Sequence, residues 1–372
     1  RNMELSVYTF GVIINGLGRS GDYCRAKLVL DKMVSCGVKP NAIIYSNMIK
    51  SYVQNGKFED ATNVLKEMLQ KGVLPDLYCY NSVIIGLCKA RRMEEAKTFL
   101  IEMGKCGLKP NAYTYGAFVS GYSEAGQMEV AERYFREMLD RGIAPNLVVY
   151  TCMINGFCKE EIKQAFSTFN SMLGRGLLPD LQLYSVLING LSKNGKLTEA
   201  MQVLSDLYDA GLRPDVYTYT SLISGFCKQG NMEKAFLLHD EMFQKGIFPN
   251  IVTYNALIGG LCKSGDIEKS RELFDGISGK GLTPNCVTYA TIIDGYCKSG
   301  NLCEAFNLFN EMAARGLQPD SFVYNALANG CCKEGETEKA LLLFHEMIQK
   351  GIASIVTFNT LIDRLCKWGK FD

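Results

Sequence analysis

The chain has 372 residues, a net charge of +1, and a composition that is 47% hydrophobic and 21% charged. These proportions exclude a disordered or collagen-like chain, and no apolar run reaches the ~18 residues of a membrane span. So small a net charge also excludes a protein coated in positive charge, and any polyanion partner must be sought in the local distribution of charge.

Nine prolines, Pro40, Pro75, Pro110, Pro145, Pro179, Pro214, Pro249, Pro284 and Pro319, recur at intervals of 35 residues, with one interval of 34. Ending each unit one residue after its proline divides the chain, in order, into 7–41, 42–76, 77–111, 112–146, 147–180, 181–215, 216–250, 251–285, 286–320, 321–354 and a partial 355–372. The unit 147–180 lacks one residue in its middle turn (CKEEIKQA), and 321–354 lacks its proline and one residue. A fixed period of this size marks stacked repeats, so 1–372 is expected to form one array without a separate globular domain. Residues 1–6 (RNMELS) resemble neither a signal nor a transit peptide, which places any targeting segment outside this chain.

Within each unit, numbered here as slots 1 to 35, the elements follow in a constant order. Slot 4 is aromatic from Phe10 to Phe358, and with the apolar residues at slots 7, 8 and 11 it has helical spacing. A glycine stands at slot 10 in most units, as in Gly86 and Gly225. Glycine at slot 15, as in Gly56, Gly195 and Gly265, is expected to end this first helix in a left-handed cap. A second helix follows, with Ala at slot 20 for close helix approach and mostly Met at slot 27. Glycine at slot 31, from Gly37 to Gly351, caps it, and proline prevents its continuation. The fold class is therefore all-α. Helices of about three turns are marginal alone, so neighbouring repeats must supply the core.

Seven of the fifteen cysteines occupy slot 12: Cys88, Cys158, Cys227, Cys262, Cys297, Cys332 and Cys366. Recurrence at one helical slot points to small buried hydrophobes in a reducing compartment rather than nucleophiles or disulfides. There is no C-x-x-C pair, and the two histidines, His239 and His345, have no recurrent partner, so neither a metal site nor another cofactor is expected.

Two slots vary among hydrogen-bonding types while their neighbours hardly change. Slot 5 runs Gly11, Ser46, Asn81, Gly116, Thr151, Ser185, Thr220, Asn255, Ala290, Asn325, Asn359. Slot 35 runs Asn41, Asp76, Asn111, Asn146, Asp180, Asp215, Asn250, Asn285, Asp320, Ser354. Residues of the slot-35 kind are also ordinary helix N-caps, and small slot-5 residues also serve helix packing. Slot 13 is basic in nine units, at Arg19, Lys89, Lys159, Lys193, Lys228, Lys263, Lys298, Lys333 and Lys367, with Gln54 and Glu124 as exceptions. Such a stripe suits phosphates, and a lysine there also favours the helix dipole. Acids concentrate in the second helices, as in Glu94, Glu95, Glu102, Glu137 and Glu241, so a near-neutral chain can still carry a positive face.

Units such as IVTYNALIGGLCKSGDIEKSRELFDGISGKGLTPN (251–285) and VYTYTSLISGFCKQGNMEKAFLLHDEMFQKGIFPN (216–250) resemble the pentatricopeptide repeat almost slot by slot, and the resemblance spans residues 7–372. The uniform length resembles the plain class, and the GLCK and GFCK segments resemble restorer-of-fertility-like members. The tetratricopeptide repeat fits less well: its W-x-x-L-G-x-x-Y run is absent and the single tryptophan is Trp368. The resemblance implies a right-handed superhelical solenoid that binds single-stranded RNA, one base per repeat. In the code it implies, the slot-5 and slot-35 residues read the base. Ser46/Asp76, Thr151/Asp180 and Ser185/Asp215 favour guanine, and Thr220/Asn250 adenine. Asn81/Asn111 and Asn255/Asn285 favour pyrimidine, and Asn325/Ser354 cytosine. Gly11/Asn41, Gly116/Asn146 and Ala290/Asp320 are weak, and Asn359 lacks a partner. With the protein N-terminus at the RNA 5′ end, the implied target is 5′-(A)GY(A)GGAY(G)C(Y)-3′, brackets marking weak positions.

The resemblance also implies that slot 2 sandwiches bases: Tyr8, Ile43, Tyr78, Tyr113, Val148, Gln182, Tyr217, Val252, Val287, Phe322 and Val356. Flat or branched apolar groups suit that task, and packing at the helix start is the alternative. The function expected is RNA processing, stabilisation or translation control by site occupancy in mitochondria, or alternatively chloroplasts, with no membrane partner and no catalysis by this chain. Two other readings stay open: a protein-binding helical scaffold, and the RNA-binding part of a nuclease or editing factor whose catalytic domain lies elsewhere.

Overall fold

The proline period is a helix–turn–helix period. A computed structural model describes residues 6–353, and over that span twenty helices run from Val7–Arg19 to Thr337–Gln349, two to each repeat. Their ends follow from chemistry at fixed slots. Each first helix starts where the side chain of the preceding residue, Ser6 or a slot-35 Asn or Asp, accepts a backbone N–H of its first turn. The turn after it has glycine at slot 15 with φ between +72° and +85°, a conformation that is costly for residues carrying a Cβ. The slot-31 glycines close the second helices in the same way, at φ between +67° and +78°.

Two repeats solve the middle turn differently. In 77–111 slot 15 is Arg91, at φ +61° the only non-glycine residue with positive φ among the described residues. In 147–180 the missing residue is the glycine itself. There Glu161 alone (φ −145°, ψ 87°) joins Leu147–Glu160 to Ile162–Gly174.

Inside a repeat, the slot-4 ring, the slot-20 Ala and the slot-27 Met are buried at the helix–helix contact, as with Tyr219, Ala235 and Met242. The ring's hydroxyl reaches the second helix. Tyr115 donates to Glu137 (3.0 Å), Tyr289 to Glu311 (2.8 Å) and Tyr324 to Glu346 (2.7 Å). A basic residue one turn later, Arg141, Arg315 or Lys350, pairs with the same carboxylate.

Between repeats, slot-10 glycines let first helices approach. A Cβ on Gly260 would lie 2.7 Å from the Cys227 Cβ, and one on Gly330 2.9 Å from the Cys297 Cβ, so the slot-12 thiols fill the space that glycine leaves. Cys88, Cys158, Cys227, Cys297 and Cys332 are buried, and Cys262 is half-buried.

The chain divides into two compact units, Arg1–Pro179 and Asp180–Asp372. Within each, first helices stack on first helices, and in most repeats the second helix packs on its own first helix and on the next one. In the second unit one buried cluster runs from Tyr254 to Met347 through three repeats. This is the all-α solenoid architecture expected from the period. Among the described residues no helix is long and apolar enough to cross a membrane.

Candidate nucleic-acid interface

Slots 2, 5, 9 and 13 are spaced by three, four and four residues and therefore share one face of the first helix. The slot-35 residue stands at the N-terminal end of that face. Every described slot-35 side chain is an N-cap whose Oδ1 accepts the N–H of slot 3 of the following repeat, at 2.8 Å for Asp215, 2.9 Å for Asp76 and Asp180, and 3.1 Å for Asn41 and Asn146. Asn111, Asn250, Asn285 and Asp320 do the same. Capping and base reading are thus compatible, because the cap uses one oxygen and fixes what remains. An Asn is left with its NH2 group, which can only donate, and an Asp with a second carboxylate oxygen, which can only accept. These residues are exposed apart from the half-buried Asn111.

Slot 5 lies deeper. Ser46, Asn81, Ser185, Thr220 and Ala290 are buried, while Gly11, Gly116, Thr151, Asn255 and Asn325 are half-buried. Its side chain meets slot 3 of the next repeat, 33 residues on. Ser185 Oγ lies 2.8 Å from Thr218 Oγ1, and Thr220 Oγ1 2.8 Å from Thr253 Oγ1. Thr114 Oγ1 donates to Asn81 Oδ1 at 2.6 Å, and Ser46 Oγ is 3.0 Å from Cys79 Sγ. The two variable slots of a repeat also touch directly at Asn81, whose Nδ2 donates to Asn111 Oδ1 (3.2 Å). Where slot 5 is glycine, a branched side chain occupies the space: a Cβ on Gly11 would sit 3.2 Å from Ile44, and on Gly116 3.1 Å from Val149. The packing alternative therefore applies to those weak positions.

Slot 2 is exposed in every repeat among the described residues. The relative exposure of Tyr8, Ile43, Tyr78, Tyr113, Val148, Tyr217, Val252, Val287 and Phe322 runs from 47% to 80%, and Gln182 is exposed too. Packing at the helix start therefore does not account for these residues, and an apolar stripe left in water marks a contact surface. Two cavities open on it. One of about 800 Å³ lies between Tyr78 and Tyr113 and has Asp76, Asn81 and Asn111 in its lining. The other, about 450 Å³, is flanked by Tyr8 and Ile43 and includes Gly11 and Asn41.

Slot 13 is exposed at Arg19, Lys89, Lys159, Lys193, Lys228, Lys263, Lys298 and Lys333. Lys298 is paired with Asp294 (2.5 Å), and Lys263 Nζ donates to the Lys228 carbonyl (2.6 Å). The exceptions differ in kind. Glu124 accepts from Ser120 (3.1 Å) and leaves its repeat without a cation at slot 13. Gln54 has Lys50 one turn earlier on the same face, and Lys50 lines the larger cavity. Reading the stripe only at slot 13 passed over Lys50. Its signal was a lysine four residues before a missing one. Slot 3 was passed over too, because its side chains act only across the repeat boundary.

Burial works against a nucleophilic role for the slot-12 thiols among the described residues. Burial pushes Cys88, Cys158, Cys227 and Cys297 up to about 12, and thiolate is the reactive form. Among the described residues no group of three or more His, Cys, Asp or Glu could hold a metal ion. Ser354, Val356, Asn359, Cys366 and Lys367 lie outside the described residues.

The sequence matches the profile of the PPR repeat family at residues 40–89, 75–124, 115–159, 182–228, 219–263, 249–298, 284–333 and 319–367. A pentatricopeptide repeat domain profile matches 1–55, and a PPR repeat profile 148–177. Among solved structures, the chain is similar to the pentatricopeptide repeat protein PPR10 in complex with an 18-nt psaJ RNA element, at 22% identity and a TM-score of 0.71, covering 98% of this chain and 59% of that one. It is also similar to PPR10 from maize, at 22% identity and a TM-score of 0.60, over 97% of this chain and 61% of that one. The chain thus spans about three-fifths of the length of these solved relatives. No curated protein matches it by sequence.

Proposed function

The chain belongs to the pentatricopeptide repeat family, and from that premise we propose that it binds single-stranded RNA sequence-specifically, one base per repeat, and acts by occupying its site. The observation that carries this is the repeated exposure of a flat or branched apolar group at slot 2 beside a helix-capping Asn or Asp. A stripe of that kind offers a stacking surface to any base, and the cap presents a donor or an acceptor according to residue type. The relative PPR10, solved with an RNA element, has the same fold. The target proposed is 5′-(A)GY(A)GGAY(G)C(Y)-3′. The organellar setting proposed rests on the family, and the preference for mitochondria on the restorer-like GLCK and GFCK segments.

Affinity need not come from every repeat. Ten bases at ~2 kcal/mol of stacking each would reach the ceiling of about 18–21 kcal/mol known for non-covalent complexes, before the cost of ordering the strand. A few well-matched repeats, chiefly those in 147–250, are expected to dominate. Selection from randomised 14-mer RNA tests the assignment, and GGA should be enriched near the centre of the selected strands. Enrichment of unrelated sequences, or retention of duplex over single strands, would overturn it.

A further inference from the structure

Slot 3 of the following repeat stands between the two polar slots. Thr218 Oγ1 donates to Asp215 Oδ1 at 2.7 Å, which uses its one proton because a carboxylate has none to give. Ser185 Oγ, 2.8 Å from Thr218 Oγ1, must then donate to it. Two hydroxyl oxygens at that distance need a proton between them, so the Leu181 carbonyl 2.7 Å from Ser185 Oγ is second in line for the same proton. Ser185 and Asp215 are thereby both left as acceptors. Guanine presents two donors, N1–H and N2–H2, side by side on its pairing edge.

The next repeat has the same wiring with a different outcome. Thr253 Oγ1 donates to Asn250 Oδ1 (3.2 Å) and accepts the Asn250 N–H (3.4 Å), so Thr220, at 2.8 Å, donates to it. Thr220 is left as an acceptor and the Asn250 amide as a donor, which matches the N6–H2 donor and N1 acceptor of adenine. In 77–111, Thr114 donates to Asn81 Oδ1 and Asn81 donates to Asn111 Oδ1. Both amides are then left with N–H groups to offer, as the acceptor-bearing edge of cytosine requires. Where slot 3 is Ile44, Val149, Leu183 or Val323, no hydroxyl is present; slot 5 of the repeat before it is Gly11, Gly116 or Ala290 in three cases, and before Leu183 it is Thr151, which gives its proton to the Leu147 carbonyl instead (2.8 Å).

We propose that slot 3 of the following repeat is a specificity-determining position: a threonine there sets the donor–acceptor polarity of the two base-reading groups, and an aliphatic residue beside a slot-5 Gly or Ala leaves that repeat permissive. The proposal rests on the base-reading role put forward above. It makes Thr114, Thr218 and Thr253 positioning residues, acting on RNA through their partners.

The test uses the full chain and four 14-mer RNAs that differ only at the base assigned to repeat 181–215. Wild type should prefer guanine there, and Asp215→Asn should move the preference towards adenine. Thr218→Val keeps the shape and removes the hydroxyl. It should lower the guanine preference about tenfold, the worth of one hydrogen bond, with affinity for the other three strands within about twofold and thermal melting unchanged. Thr218→Ser should restore the preference. Thr253→Val gives the corresponding reading for adenine at repeat 216–250 should Thr218→Val fail to fold. A wild-type preference that responds to Asp215→Asn but survives both valine variants overturns the slot-3 proposal and leaves base reading standing. A wild type that ranks the four strands alike overturns base reading, and the slot-3 proposal with it.

Discussion

At the scale of single residues, the tightest constraint is the contact between slot 10 of one repeat and slot 12 of the one before. Six slot-10 glycines, Gly121, Gly156, Gly225, Gly260, Gly295 and Gly330, face a Cys or Ser at slot 12. The first junction reverses the pair, with Gly18 at slot 12 and Ser51 at slot 10, and a Cβ on Gly18 would lie 2.7 Å from that of Ser51. One Cβ is tolerated there and two are not, whichever side carries it. Gly295→Ala should therefore destabilise the protein by about 1–2 kcal/mol, an overpacking cost partly offset by the helix propensity of alanine. Adding Cys262→Gly copies the first junction and should recover much of the loss. A double-mutant cycle in urea checks this, and strictly additive effects would refute the pairing.

At the scale of the helix pair, legibility depended on whether one slot alone determined the geometry. The glycines at slots 15 and 31 were readable because a positive φ calls for glycine wherever the chain turns. Arg91 was not readable as an exception, since nothing beside it in sequence records that it adopts φ +61°. Arg91→Gly should relieve that strain and raise stability by about 1 kcal/mol, seen as a higher urea midpoint at unchanged slope. An unchanged midpoint would mean that the arginine makes a compensating contact. The proline period and the apolar slots foretold every helix pair of the described residues, whereas the hydroxyl bridges at Thr114, Thr218 and Thr253 depend on side-chain direction across 33 residues. Spacing within one repeat does not encode such contacts. Lys50 lay between these cases, visible once Gln54 was seen to break the basic stripe.

At the scale of the whole molecule, a net charge of +1 conceals a division of labour. Carboxylates such as Glu241, Glu311 and Glu346 are paired with cations on the second helices. Most slot-13 lysines stand exposed on the first helices. Lys193→Gln and Lys228→Gln should each weaken RNA binding to a similar degree for every sequence and reduce the slope of log affinity against log salt by about 0.7. Lys298→Gln should change it less, because Asp294 already holds that charge. Equal slopes for wild type and all three variants would remove the phosphate role from this stripe.

The shared cap oxygen has a consequence for how such a protein can acquire a new target. Asn and Asp at slot 35 are isosteric and start the next helix with the same bond, so exchanging one for the other leaves the scaffold's stability nearly untouched while changing the hydrogen-bonding character on offer. Under the base-reading role proposed above, retargeting can therefore proceed one repeat at a time through intermediates that all fold. Alanine at the same place forfeits the cap, at about 1 kcal/mol. The alphabet of slot 35 is kept small by the helix that begins there, and on the proposed reading role that restriction makes drift between targets cheap.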